Sequence, residues 1–257
     1  MFEISHSLPK MRSSSHKKKI KTSLSSISTE NRIDNLPDSI MCHILSFLPP
    51  KHAATTSILS KKWKPVWLSV LALDFDDETF KDFSGFRKFV NSTITLRDKN
   101  VSIHSFNFKC GSSSHFTQIQ YDRILRTVMQ YGVKDLNFDM SNKKRITNLP
   151  SRIFSFKLLQ VLKLANMQAG DFDEVDFPHL KTLHLNSIFI SHEHIVKFLF
   201  GCPILENLQS EIYILERMDN IIENLYALPN LVKVRISGSN TPLPLVCKTK
   251  ILHMEEE

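Results

Sequence analysis

The densest run of chemically competent side chains in this chain is His192-Glu193-His194, in the stretch SIFISHEHIVKFLFGC. On a strand, imidazoles at i and i+2 share a face and could give a metal two nitrogen ligands. The apolar spacing turns helical at this point, and on a helix i and i+2 point apart, so no metal site is expected. The four cysteines Cys42, Cys110, Cys202 and Cys247 are scattered without a CxxC pair, which reads as reduced thiols in an intracellular chain. Cys202, in GCPILENL, has apolar neighbours and no adjacent base, so burial rather than reactivity is expected. No serine lies in a GxSxG elbow, and the six glycines form neither GxGxxG nor GxxxxGK[ST]. No catalytic residue and no cofactor are assigned.

With chemistry excluded, what remains is the elements themselves. Charged residues such as Glu193 and Lys197 interrupt the long apolar stretches well short of a membrane span, so no membrane association is expected. The formal charge is +7, but six basic residues against two acidic ones in the first thirty positions account for more than half of it. That segment, with MRSSSHKKKIKTSLSSIS, is serine-rich and aperiodic, and is expected to be a disordered basic tail over 1–31. KKKIK also has the composition of a nuclear address, and the chain is expected in the nucleus, the cytoplasm or both. A basic surface for nucleic acid is not expected outside this tail.

From Leu36 to Trp67 the chain reads LPDSIMCHILSFLPPKHAATTSILSKKWKPVW. Pro37 and Asp38 suit the first turn of a helix, predicted to run to about Phe47. Ile40, Met41, Ile44, Leu45 and Leu48 form an apolar stripe along it, and Pro49-Pro50 stops it. A second short helix is predicted over Lys51 to Ile58. A third is capped by Ser60 and places Trp63 and Trp67 one turn apart, with Pro65, at about its fifth position, making it short or irregular. Three such helices in about thirty residues cannot bury this much apolar surface among themselves. On periodicity alone, either the rest of the chain or a second protein covers it.

The wording Leu36-Pro37-Asp38, Ile44-Leu45-Ser46-Phe47-Leu48-Pro49, Ser57-Ile58-Leu59-Ser60-Lys61-Lys62-Trp63 and the final Trp67 closely resembles the F-box. It is most similar to that of the plant F-box/leucine-rich-repeat group of FBD type. The resemblance implies docking on a Skp-type adaptor and, through it, on cullin and RING subunits. It places Leu36, Pro37, Ile44, Leu45, Leu48, Pro49 and Leu59 against the adaptor, with Trp63 there too or, like Trp67, joining the motif to the next domain.

The rest of the chain repeats L-x-x-L-x-L, in which alternate apolar residues point inward from a strand. Its fourth positions are Phe106, Leu136, Leu162, Leu183, Leu208 and Val234, spaced 21 to 30 residues apart, and an earlier copy starts at Val70. Helical returns are predicted over 83–96, 117–130 and 192–200, with Phe86, Phe89, Phe138, Phe198 and Phe200 in the core. The ninth repeat positions, which often hold Asn or Cys, are here Gly111, Ser141, Met167, Ile188, Tyr213 and Ser239, so the array is degenerate. The expected fold is α+β: a three-helix F-box over 32–68, an irregular α/β leucine-rich-repeat solenoid with a parallel strand row over 69–240, and a C-terminal tail over 241–257. Residues between the inward positions should form a polar row on the concave face: Asn107, Asn137, Lys163, His184, Gln209 and Arg235. The resulting expectation is a non-catalytic substrate receptor of an SCF-type ubiquitin ligase that holds an unknown protein target on this row. A free-standing repeat scaffold or nucleic-acid-associated chain, with the helices as a mere cap, is the alternative.

Overall fold

The computed structural model describes residues 35–58, 61–111, 115–141, 146–215, 227–238 and 240–255. The expected basic tail lies outside the described residues, as do Leu59 and Ser60. Leu36–Glu257 form one compact unit.

Three helices open it: α1 (Asp38–Ser46), α2 (Pro50–Thr55) and α3 (Trp63–Leu68), with a 3-10 turn over Thr56–Ile58 after α2. Pro37 precedes α1, and Pro50 begins α2 at the position where a missing N–H costs nothing. Pro65 falls not near the fifth position of the third helix but in its first turn, because α3 starts at Trp63. Its lost donor would have been unsatisfied there in any case.

A nine-stranded sheet follows. Its strands are β1 (Ala72–Asp76), β2 (Ser105–Lys109), β3 (Asp135–Asp139), β4 (Thr147–Leu149), β5 (Val161–Ala169), β6 (Thr182–Ile190), β7 (Asn207–Ile214), β8 (Lys233–Ser237) and β9 (Ile251–Glu255). All pairings are parallel, in the order β1-β2-β3-β5-β6-β7-β8-β9, with β4 beside β5. Parallel strands need long crossovers. Three of these are the helices α4 (Phe83–Leu96), α5 (Gln118–Gln130) and α6 (His192–Phe200), close to the predicted limits. Each start has a chemical cause. The Asp82 carboxylate accepts from Gly85 N–H at 2.8 Å, Thr117 and Gln120 form a capping box, and Ser191 Oγ accepts from His194 N–H at 3.2 Å.

The two inward positions of β1 to β3 and β5 to β8 build the core, whereas all of β9 is exposed. Leu73, Phe106, Leu136, Leu162, Leu183, Leu208 and Val234 share one register, and all are buried. The parallel row starts with Phe75, Phe108 and Phe138, where the Phe108 and Phe138 rings stack at 4.9 Å and Phe86 of α4 lies 5.9 Å from Phe108. Phe86, Phe138 and Phe198 are core residues as expected, and Phe89 is half-buried. Phe200, expected in the core, is instead exposed at the end of α6. Four positions earlier, Val196 faces the core, and the helix has turned past it by Phe200.

Two features depart from a simple repeat. β5 and β6 are nine residues long, and each passes through a left-handed residue, Asn166 (φ 59°) and Ser187 (φ 52°). The insertion flips the inward parity: Leu162 and Leu164 give way to Met167 and Ala169, and Leu183 and Leu185 to Ile188 and Ile190. The ninth positions Met167 and Ile188 therefore sit inside a second parallel ladder, Thr147–Met167–Ile188–Ile212, rather than at a polar turn. The expected 241–257 tail is also corrected. It contains a helical turn, α7 (Leu243–Val246), and β9, which extends the sheet beyond β8. Periodicity missed β9 because Ile251, Leu252 and Met254 lack the full L-x-x-L-x-L frame.

Candidate functional site

α1 is apolar on two sides. Met41 and Leu45, one turn apart, are buried in a cluster that includes Ala53, Trp63, Val66 and Trp67. Ile40, Ile44 and Phe47 recur at i, i+4 and i+7 on another face, and all are exposed, Phe47 by 75%. Leu48 is exposed just beyond the helix, and Ile58 is 84% exposed on the 3-10 turn. A cleft of about 290 Å³ lies beside this surface, lined by Leu45, Phe47, Leu48, Ala53, Val70 and Asp74. What sequence reading took as one stripe is thus an inward stripe and an outward one.

The predicted adaptor residues divide accordingly. Pro37, Ile44, Leu48 and Pro49 are on the surface, and Leu36 is half-buried with its carbonyl accepting from Lys62 Nζ at 2.8 Å. Leu45 and Trp63 are corrected to the interior, because the inward stripe of α1 needs them to close the small three-helix core. Leu59 lies outside the described residues. Ile40 and Phe47, exposed at helical spacing from Ile44, and Ile58, exposed on the 3-10 turn, were not among the predicted contacts.

The inward tryptophan Trp67 stacks on Phe89 of α4 at 5.9 Å. Lys51 Nζ donates to the Thr79 carbonyl at 3.0 Å and lies over the Phe80 ring. Arg97, only 4% exposed, donates from Nη1 to the Leu68 carbonyl at 2.8 Å, from Nη2 to the Ser102 carbonyl at 2.8 Å and from Nε to the Val101 carbonyl at 3.3 Å. These contacts tie the last turn of α3 to the end of α4.

The predicted polar row exists as one register across the sheet: Asn107, Asn137, Lys163, His184, Gln209 and Arg235 are successive partners, flanked by Asp74 on β1 and His253 on β9. Asn137 Nδ2 donates to Asn107 Oδ1 at 2.7 Å, and Asn107 Nδ2 donates to the Asp74 carboxylate, so the first three strands are laced by an amide ladder. Burial, with Lys163 and Arg235 nearby, holds the His184 pKa below the ordinary imidazole value. A histidine kept neutral in the folded state gives stability that is fully present above its unfolded pKa near 6.5 and is lost as pH falls from there through the lower folded-state pKa. Acidification from pH 7 should therefore lower the unfolding midpoint. In thermal melts across pH, His184→Gln should remove part of that slope, and an unchanged slope would show that His184 does not contribute it.

The residues considered first for chemistry are structural. His194 Nδ1 lies 2.6 Å from Ser191 Oγ and its ring packs on Phe172, while Glu193 pairs with Lys197 at 2.6 Å. The buried Cys202 thiol donates to the Phe198 carbonyl at 3.2 Å, and burial pushes its pKa up. Among the described residues no His, Cys, Asp or Glu set converges as a metal site, and no helix is long and apolar enough to cross a membrane.

Comparison with known proteins matches two families in tandem. The F-box domain matches residues 33–72, and the LRR repeats of the FBD-associated F-box protein At5g56370 match residues 121–226. The relatives include the F-box/LRR-repeat protein At4g14096 of Arabidopsis thaliana, 37% identical over 68% of this chain and 39% of the relative. The putative F-box protein At1g58310 of the same organism is 38% identical over 70% of this chain and 40% of its own length. The putative F-box/LRR-repeat protein At5g41840, also from Arabidopsis thaliana, is 34% identical over 69% of this chain and 36% of the relative. The chain thus spans well under half the length of these relatives. No solved structure matches.

Proposed function

Since this chain carries an F-box followed by FBD-associated leucine-rich repeats, as F-box/LRR-repeat proteins do, we propose that it is the substrate-recognition subunit of an SCF-type cullin–RING ubiquitin ligase. In this reading the F-box helices bind a Skp-type adaptor and the strand row presents a target protein. Ubiquitin transfer takes place on other subunits. This chain supplies proximity, turning a bimolecular encounter into a near-intramolecular one.

The observation that carries the reading is the outward face of α1. Ile40, Ile44 and Phe47 stay exposed although the same helix is packed against the chain on its other side. Apolar side chains grouped at helical spacing and left in water mark a binding surface. The adaptor contacts we assign are Ile40, Ile44, Phe47 and Leu48, with Pro37, Pro49 and Ile58 beside them. Leu45 and Trp63 support that surface from beneath.

The test is co-expression with a Skp-type adaptor followed by size exclusion. A one-to-one complex that survives high salt is expected, since an apolar contact is not screened as ion pairs are. Separate elution of both proteins, with the chain folded, would remove the proposal.

A further inference from the structure

The outward face of the sheet is electrically divided along its length. On β1 to β3 it carries Asp74, Asp76, Asp135 and Asp139, and the one cation, Lys109, is already paired with Asp76 at 3.4 Å and Glu78 at 3.0 Å. On β5 to β8 the same two rows that hold Asp74 and Asp135 read Val161, Thr182, Asn207, Lys233 and Lys163, His184, Gln209, Arg235, with three cations and no carboxylate, while the next row, which holds Asp76 and Asp139, carries Glu211 on β7. Among the described residues Lys163 and Lys233 have no ion-pair partner, and Arg235 has a loose one, Glu255 at 3.6 Å. These side chains project from a rigid ladder, so their spacing is fixed by the sheet. From Asp135 on β3 to Lys233 on β8 the row crosses four interstrand gaps. At about 4.8 Å each that is about 19 Å, the reach of about six residues of extended chain.

We propose that this face selects an extended, charge-divided segment of the target. Acidic residues seat over Lys233 and Arg235, with Lys163 between, and a basic residue about six positions away seats over Asp135, with Asp74 two strands further along. The inference rests on the reading of the chain as a target receptor and adds the chemistry of what is received. Charge complementarity fixes register and excludes wrong partners, as it does across protein interfaces generally. The same division disfavours a nucleic acid, whose uniform phosphate backbone would meet Asp74 and Asp135 at one end.

The experiment is selection of a random twelve-residue peptide library on the full chain held in complex with the Skp-type adaptor. Enriched peptides should combine acidic residues with a Lys or Arg about six positions away. Their affinity should fall at least about tenfold against Lys163→Glu with Arg235→Glu, as expected for loss of two charge contacts of about 1 kcal/mol each or more. Charge-inverted peptides should bind that variant instead, and Lys163→Gln with Arg235→Gln should give an intermediate loss. These residues are exposed, so melting temperature and adaptor capture should not change. No enrichment, enrichment without acidic residues, indifference to the charge reversal, or preferential retention of single-stranded RNA would each overturn the proposal. Failure of the wild-type chain to hold the adaptor would instead count against the receptor reading.

Discussion

Ile40→Asp combined with Phe47→Lys is expected to abolish capture of a Skp-type adaptor while leaving the chain folded. Each charge suits its place: aspartate near the start of α1 and lysine at its end both favour the helix dipole, so the helix itself is not weakened. Neither side chain belongs to the buried cluster, and exposed substitutions usually change stability by no more than about 0.5 kcal/mol. At an interface the balance reverses, because burying an Ile or Phe side chain is worth about 1.5–3 kcal/mol. Losing both contacts costs about 3–5 kcal/mol, or roughly a hundred- to several-thousand-fold in affinity. Titration calorimetry with purified adaptor reads this directly. Unchanged affinity in a variant with an unchanged melting temperature would place the adaptor elsewhere. Leu45→Asp would be a poor substitute, since Leu45 is a core residue and its loss would unfold the helices.

The second large effect is expected from Arg97→Leu. The guanidinium is held inside the chain by three carbonyls, from Leu68, Val101 and Ser102, and lies over the Tyr131 ring, whose hydroxyl donates to the Ile94 and Arg97 carbonyls. Burial holds its pKa below the ordinary guanidinium value. Leucine fills much of the space but leaves three acceptors unpaired, each costing about 1–3 kcal/mol; taking the lower part of that range, a total near 3–5 kcal/mol is expected. In a unit of this size that lowers the melting temperature by roughly 6–20 °C. Arg97→Lys should recover only part of the loss, because an ammonium cannot reach three carbonyls in fork geometry. The damage should centre on the junction at Leu68, where limited proteolysis would cut first. A melting temperature within about 2 °C of wild type, less than 1 kcal/mol, would mean that Arg97 is not the joint described.

Much of this was legible in the sequence, because the inward pairs of the strands and the helical returns over 83–96, 117–130 and 192–200 depend on local spacing. The polar row from Asn107 to Arg235 could be written down for the same reason. What was hidden depends on partners distant in sequence. Ser210 occupies an inward position where the repeat calls for an apolar residue, and it is tolerated because Thr241, also buried, hydrogen-bonds it at 2.8 Å. Nothing near Ser210 announces that pairing. The matched kinks at Asn166 and Ser187 are likewise a property of two neighbouring strands, with Asn166 Nδ2 held by Asp139 at 2.8 Å and Ser187 donating to Glu211 at 2.6 Å. In α1 the five apolar residues were visible, but their division between Met41 and Leu45 inside and Ile40, Ile44 and Phe47 outside required the position of α3. That division puts two predicted contacts, Leu45 and Trp63, in the interior.

Hydroxyl-radical footprinting of the chain, alone and with equimolar Skp-type adaptor, tests the central claim most directly, since oxidation of the Phe47 ring reports its exposure. The account predicts that Phe47 oxidises readily in the free chain and is protected in the complex, while His253 on the strand row is modified equally in both. Protection of His253 with Phe47 unchanged, or a complex in which neither is protected, would contradict it.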